Sequence, residues 1–309
     1  MTIGRETIGV FGANGFIGRN LVSRLISLNR SVVAFGRSFP ADYAALVGGP
    51  VETRVIDFND VLATHAVLQD VTAVVQLINS SSPGLGNTRV VPDLNANVVP
   101  HVSFIESCLL TGVSRFLFLS SGGTVYGNPA YLPIDEAHAT APINSYGLTK
   151  MMVEHYLRML AHGSTMSYFN LRVSNPFGPG QTLKKGQGLV ASILRSHAAG
   201  LPITIFGDGT VQRDYLYIDD LIDSLVGALD APPAQETINI GSGVGRSVLE
   251  VVSATQKALA EELRLEFQPA RPTDATANIL DPSKAAALLG WRPRVDFDEA
   301  LRRTVLAWQ

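Results

Sequence analysis

A doubly wound α/β fold on a parallel sheet is predicted by three observations in this 309-residue sequence. The first is a short apolar run, Thr7–Phe11, that stops at the turn Gly12-Ala13-Asn14-Gly15-Phe16-Ile17-Gly18 and gives way to Leu21, Val22, Leu25 and Ile26 at helical spacing. The second is recurrence: apolar runs return at Ser31–Phe35, Val51–Ile56, Ala73–Ile78, Phe116–Leu119 and Ser167–Val173, with helical stretches between them. Strands that alternate with helices pair in parallel, with helices on both faces. The third is what stands where the runs end. Gly12, Asp57 and Ser120 fall at those ends, and open parallel sheets take their ligands at the carboxyl ends of the strands.

The glycine turn predicts the ligand class. Gly12 permits the tight turn, Gly15 lets the backbone approach a pyrophosphate, and Gly18 permits close packing of the helix. Asn14, Phe16 and Ile17 carry the backbone between these glycines into the helix, whose N-terminal N–H groups and dipole favour phosphate. A lone glycine triplet would say little. At the first strand of an alternating pattern, with a second strand at Ser31–Phe35, it predicts a dinucleotide-binding (Rossmann) domain.

Composition removes other classes. A formal net charge of -3 gives no electrostatic reason to expect nucleic acid or an anionic membrane as partner. Cys108 is the single cysteine, so no internal disulfide forms, and its apolar helical setting suggests a small buried hydrophobe. No stretch is long enough to span a membrane, and the N-terminal apolar residues read as a strand rather than a leader, so a cytoplasmic protein is expected. The sequon Asn79-Ser80-Ser81 would matter only in a secreted chain. The six histidines lack metal-ligand spacing, so no metal is expected. Neither a P-loop nor a Gly-x-Ser-x-Gly elbow is present, which argues against kinases and α/β-hydrolases.

Tyr146-Gly147-Leu148-Thr149-Lys150 supplies candidate chemistry. Residues four apart on a helix share a face, so phenol and ammonium lie together. A nearby cation favours the phenolate, so the pKa of Tyr146 is expected to fall from its ordinary ~10 and make it a proton acceptor. A hydroxyl from the run Ser120-Ser121-Gly122-Gly123-Thr124-Val125-Tyr126-Gly127 could hold the oxygen of an alcohol or carbonyl substrate.

The glycine spacing with Asp57, the serine run and Tyr146/Lys150 together resemble the extended short-chain dehydrogenase/reductase family, and more narrowly its nucleotide-sugar epimerase and dehydratase branch. Later stretches carry the likeness through nearly the whole chain: Asn175–Gly180, Ile205–Gly209, Arg213–Asp220, Asp281–Lys284 and Gly290–Pro293. The resemblance implies a cofactor domain over residues 1–174 and about 211–230. A smaller α/β substrate-binding domain is implied over about 175–210 and 231–309, with substrate in the cleft between them. It implies Tyr146 and Lys150 as catalytic residues, with Lys150 also on the nicotinamide ribose. Counting forward from Phe116 puts the catalytic hydroxyl on Ser121, and Thr124 is its substitute. Asp57 and Phe58 would meet the adenine. Arg213 and Arg271 would hold the diphosphate of a nucleotide-diphosphate sugar, and the Asn175 amide that diphosphate or a sugar hydroxyl. A homodimer through the helix before Phe116 and the helix of Tyr146 is also implied, although Val98, Val102, Ile105 and Leu109 suit packing on the sheet equally well.

Two departures shape the expected reaction. NAD users in the family place an acid at the end of the second strand, where this chain has Gly36, followed by Arg37 and Ser38. Arg37 could pair with a 2′-phosphate, which favours NADP over NAD. Relatives that eliminate water carry an aspartate and a glutamate before Val-Tyr-Gly, where Gly123 and Thr124 stand here. What remains is chemistry at one carbon: a nucleotide-sugar 4-epimerase, with an NADPH-dependent 4-keto-sugar reductase as the alternative and a non-catalytic cofactor sensor as a second. A mobile flap over Gly180–Gly188, with Lys184 and Lys185, is a further reading.

Overall fold

The computed structural model describes residues 6–81, 87–181, 188–270, 275 and 277–308. Lys184, Lys185 and Arg271 lie outside them. In chain order the cofactor half is β1 (Thr7–Phe11), α1 (Phe16–Ser27), β2 (Ser31–Gly36), α2 (Tyr43–Leu46), β3 (Glu52–Val55), α3 (Val61–Val67), β4 (Ala73–Gln76), α4 (Val90–Asn97), α5 (Val99–Leu110), β5 (Arg115–Ser121), α6 (Ser145–Ala161) and β6 (Ser167–Val173). The remainder runs β7 (Asn175–Phe177), α7 (Leu189–Ala198), β8 (Ile203–Phe206), β9 (Gln212–Tyr217), α8 (Ile218–Asp230), β10 (Gln235–Ile240), β11 (Gly245–Ser247), α9 (Val248–Leu259), β12 (Leu265–Gln268), β13 (Ala277–Asn278), α10 (Ser283–Leu289) and α11 (Phe297–Trp308).

Seven parallel strands form the main sheet in the order β10-β6-β5-β4-β1-β2-β3. The order reverses between β1 and β4, which opens a crevice at their carboxyl ends. Alternation along the strands sends side chains to two cores. One face meets Leu21, Val22 and Leu25 of α1 and Leu221 and Leu225 of α8; the other meets Phe104, Ile105 and Cys108 of α5 and Val153 and Leu157 of α6. On that second face Phe11 stacks on Phe35 and meets Phe104 edge-on, a dense aromatic layer beneath the crevice. The Cys108 thiol is fully buried and pushed up by burial, as a packing residue would be.

The sheet extends beyond the sequence boundary. Its edge strand β10 comes from residues assigned to the smaller part, while β9, within 211–230, joins a small sheet with β7, β11 and β13. The reason is register: β10 matches β6 over six residues, and α8 is its crossover, packed on α1. The motifs of the second half are largely fasteners for these pieces. Asp214 on β9 is buried and accepts from Ser242 N (2.8 Å) and Oγ (2.7 Å) and from Gly243 N (3.1 Å) and Leu280 N (3.3 Å). Asp220 on α8 takes Trp291 Nε1 on its backbone oxygen (2.9 Å), and Arg294 N and Val295 N on its carboxylate. Among the described residues no helix is long and apolar enough to cross a membrane.

Candidate active site

The glycine turn sits at the end of β1, bonded to the end of β2 through Gly12 N and Ala13 N on the Phe35 carbonyl (2.9 and 3.0 Å). A Cβ at Gly18 would lie 2.3 Å from Gly12 O and 2.7 Å from Ala13 Cα, so α1 reaches the turn only with glycine there. Gly15, the exposed N-cap of α1, offers no side-chain cap, and no acid occupies the first turn. Bare N–H groups without a neighbouring carboxylate suit a pyrophosphate, and a dinucleotide fits.

Asn14 links this turn to the loop after β2. Its Nδ2 donates to the Ser38 carbonyl (2.8 Å), and its Oδ1 accepts from Arg19 Nε (3.0 Å) and Nη2 (2.7 Å). Phe16 and Ile17 are half-buried against the core. At Gly36 a Cβ would come 3.1 Å from the Phe39 ring, which itself packs on Tyr43. The place of the missing acid is therefore flanked by an aromatic ring. Arg37 and Ser38 are exposed beside it. Asp57 is exposed, and its carboxyl is held below its ordinary range by the Asn59 backbone N–H and side-chain amide, with the Arg37 charge contributing less. The Phe58 ring turns into the core against His101 and Phe104, so its side chain is committed to packing.

β5 and α6 bring the acid–base residues together. Asn144 caps α6 by accepting from Gly147 N (2.8 Å). A Cβ at Gly147 would lie 2.6 Å from the Thr124 carbonyl, so this glycine lets the tyrosine helix press against the loop after β5. The result is that the Tyr146 phenol sits beside Ser121, whose side chain favours its ionised form. Thr124 Oγ1 is buried without a hydrogen-bond partner among the described residues. Of the two candidate hydroxyls, Ser121 is the one that acts on the phenol's ionisation.

One expectation is corrected. The Tyr146 phenol is not lowered but pushed up to about 12, chiefly by burial and further by the Asp93 charge, with Ser121 opposing. Lys150 Nζ is 6.0 Å from the centre of the tyrosine ring and donates to the Leu119 carbonyl (2.8 Å). At that separation, burial of a group that must become charged outweighs the cation.

The substrate-half residues converge only partly. Asn175 begins β7; its Nδ2 donates to the Asp214 carbonyl (2.9 Å). The Cβ position of Gly123 is 3.9 Å from Ser121 Oγ and 4.0 Å from Asn175 Oδ1, so the three share one rim. Arg213 is half-buried on β9, with Nη1 on the Gln212 carbonyl (2.8 Å).

Sequence reasoning overlooked a buried polar network beneath this rim. Glu154 accepts from Arg172 Nε and Nη2 (3.1 and 2.7 Å) and from Ser120 Oγ. Arg172 Nη1 donates to the Tyr126 hydroxyl (3.0 Å), which donates to Asn239 Oδ1 (2.7 Å). Two signals were present: Tyr146, Lys150 and Glu154 recur every four residues, and Arg172 is a charge inside a fully buried strand.

Residues 8–241 match the model of the NAD dependent epimerase/dehydratase family. A UDP-glucose 4-epimerase of Mycolicibacterium smegmatis is 31% identical over 305 residues, with 96% of each chain covered. A dTDP-4-dehydro-6-deoxyglucose reductase of Escherichia coli is 29% identical over 306 residues, covering 96% of this chain and 95% of that protein. The structure of Thermus thermophilus UDP-glucose 4-epimerase in complex with NAD superposes with a TM-score of 0.89 at 27% identity, covering 98% of both chains.

Proposed function

The chain belongs to the NAD dependent epimerase/dehydratase family and is an enzyme of the extended short-chain dehydrogenase/reductase type, and from that premise we propose that it is a nucleotide-sugar 4-epimerase. The observation that carries this reading is the Tyr146 phenol set beside Ser121, with Gly123 and Thr124 alongside and no carboxylate at either position. Substrate would lie between the crevice and the small sheet, its diphosphate met by Arg213 and Asn175. A bound nicotinamide would supply the hydride acceptor and donor, and, when oxidised, a positive charge. Ser121 holds the C4 oxygen, Tyr146 takes the hydroxyl proton as the C4–H bond breaks and the carbonyl forms, and the same phenol returns the proton after the sugar has turned over. Incubating the protein with UDP-, GDP- and dTDP-sugars and their 4-keto forms tests the reading. Inversion at C4 without net change in nicotinamide absorbance supports it; stoichiometric NADPH consumption with a 4-keto sugar overturns it in favour of a reductase.

The reductase reading has its own support in the high pKa of Tyr146, which suits a proton donor, and in the likeness to a keto-sugar reductase. No turnover with either set would leave the non-catalytic sensor.

The cofactor is a nicotinamide dinucleotide, and we propose NADP over NAD on the strength of Gly36 and exposed Arg37, although the Thermus epimerase binds NAD. Arg37→Ala is expected to weaken NADP about tenfold, one charge-assisted pair of roughly 1.5 kcal/mol, and leave NAD within twofold. Equal effects on both in a calorimetric titration would remove the NADP proposal.

The dimer is likewise proposed. Val98 is buried and Ile105 packs against the sheet, but Val91, Val99, Leu148 and Met159 are exposed on α4, α5 and α6. Sedimentation of a monomer at micromolar concentration would overturn it.

A further inference from the structure

α4 approaches the tyrosine helix through a single carboxylate. Asp93 Oδ2 accepts from Ser145 Oγ at 2.6 Å, and Oδ1 accepts from Asn97 Nδ2 at 2.7 Å. Asn97 is buried, and its Oδ1 accepts from both Ser80 N (2.9 Å) and Ser80 Oγ (2.8 Å), in the loop that follows β4 at the crevice. Ser145 is held a second time, its backbone N–H donating to Asn87 Oδ1 (2.9 Å). Ser145 immediately precedes Tyr146. An unbroken chain of hydrogen bonds therefore runs from the crevice loop through Asn97 and Asp93 to the first turn of α6.

We propose that Asp93 is a positioning residue for Tyr146: bonded to Ser145 on one oxygen and Asn97 on the other, it fixes the first turn of the tyrosine helix against the loop after β4. The proposal rests on the reading of Tyr146 as the acid–base group. Other elements contribute groups of different character around that phenol. β5 presents the Ser121 hydroxyl, and α6 itself presents Lys150. α5 presents His101, buried, facing Lys150 and lowered to about 3 by burial and by that lysine, so it carries no charge at neutral pH. Farther along α6, Glu154 is paired with Arg172. Asp93 is the anion whose charge acts on the phenol, and its sign opposes proton loss. The charge biases Tyr146 toward giving its proton, and the tie to Ser145 holds the turn that carries it.

Charge and position are separable. Asp93→Asn keeps the shape and an acceptor and removes the charge; Ser145→Ala keeps the charge and removes the tie. Ultraviolet titration of tyrosinate, taken as the difference from Tyr146→Phe, isolates this phenol without relying on turnover. Asp93→Asn is expected to move its ionisation to lower pH by roughly half a unit, about threefold more tyrosinate at a fixed pH. The pH–rate limb belonging to Tyr146 moves the same way whether the proton is taken or given, with KM little changed. Ser145→Ala is expected to lower kcat several-fold while the titration stays in place. A folded Asp93→Asn protein whose titration matches the parent overturns the electrostatic role, and a Ser145→Ala protein with parental kcat overturns the positioning role. If the parent turns over no nucleotide sugar, the functional reading fails and the titration still decides what Asp93 does.

Discussion

Tyr146→Phe is expected to lower kcat by roughly 10²–10⁴-fold, the usual contribution of a positioned acid–base group, with KM and dinucleotide affinity nearly unchanged. The substitution removes one hydroxyl and keeps the ring, so α6 retains its Asn144 cap and its packing on the loop after β5. What disappears is the hydroxyl beside Ser121 that the proposed mechanism uses to exchange a proton with the C4 oxygen. The pH dependence has a definite sign. With the phenol at about 12, tyrosinate is scarce at neutral pH and grows about tenfold per pH unit. Oxidation at C4, which needs the tyrosinate, should therefore speed up as pH rises; reduction, which needs the phenol, should stay flat and fall only in strong alkali. A Tyr146→Phe enzyme within tenfold of the parent, with its pH limb intact, would remove Tyr146 from the mechanism and point to Thr124 or Ser121.

The sequence carried the fold well because the signals were local. Glycine at 12, 15 and 18 has a steric meaning at the turn itself, and each apolar run needed only its own neighbours to be read as a strand. Pairing partners were less legible: β10 belongs to the main sheet because it matches β6 in register, which no local pattern announces. The same division holds in the site. Tyr146 and Lys150 share a helix face, so their proximity was readable, whereas the pKa of Tyr146 depends on burial contributed by other elements, and the expected direction was reversed. Which hydroxyl, Ser121 or Thr124, serves the phenol depends on how the loop after β5 folds against Gly147, which no local pattern announces. Asp93 meets Ser145 across 52 residues of sequence, and Glu154 meets Arg172 across two elements of different type. Such contacts are properties of the packing.

The largest effect on stability is expected at that last pair. Arg172→Met should destabilise the protein by roughly 3–5 kcal/mol, because it leaves the Glu154 carboxylate buried without its cation. Ser120 Oγ remains as a partner but brings no charge. Arg172→Lys should recover only part of the loss, since one ammonium cannot reproduce Nε and Nη2 on the carboxylate together with Nη1 on Tyr126. Removing both charges is a different matter. A Glu154→Leu, Arg172→Met double variant should be closer to the parent than either single variant, because desolvation of two ions no longer has to be offset. Activity should not follow stability in that variant. Tyr126 would lose the guanidinium that lies 4.9 Å over its ring and donates to its hydroxyl, and Tyr126 anchors the loop running from Ser121 through Thr124. A double variant that is stable in denaturant titrations yet slow at saturating substrate would identify the pair as the support of the catalytic loop. One as active as the parent would reduce it to a structural ion pair, and one less stable than both singles would mean that the charges are net stabilising in this core.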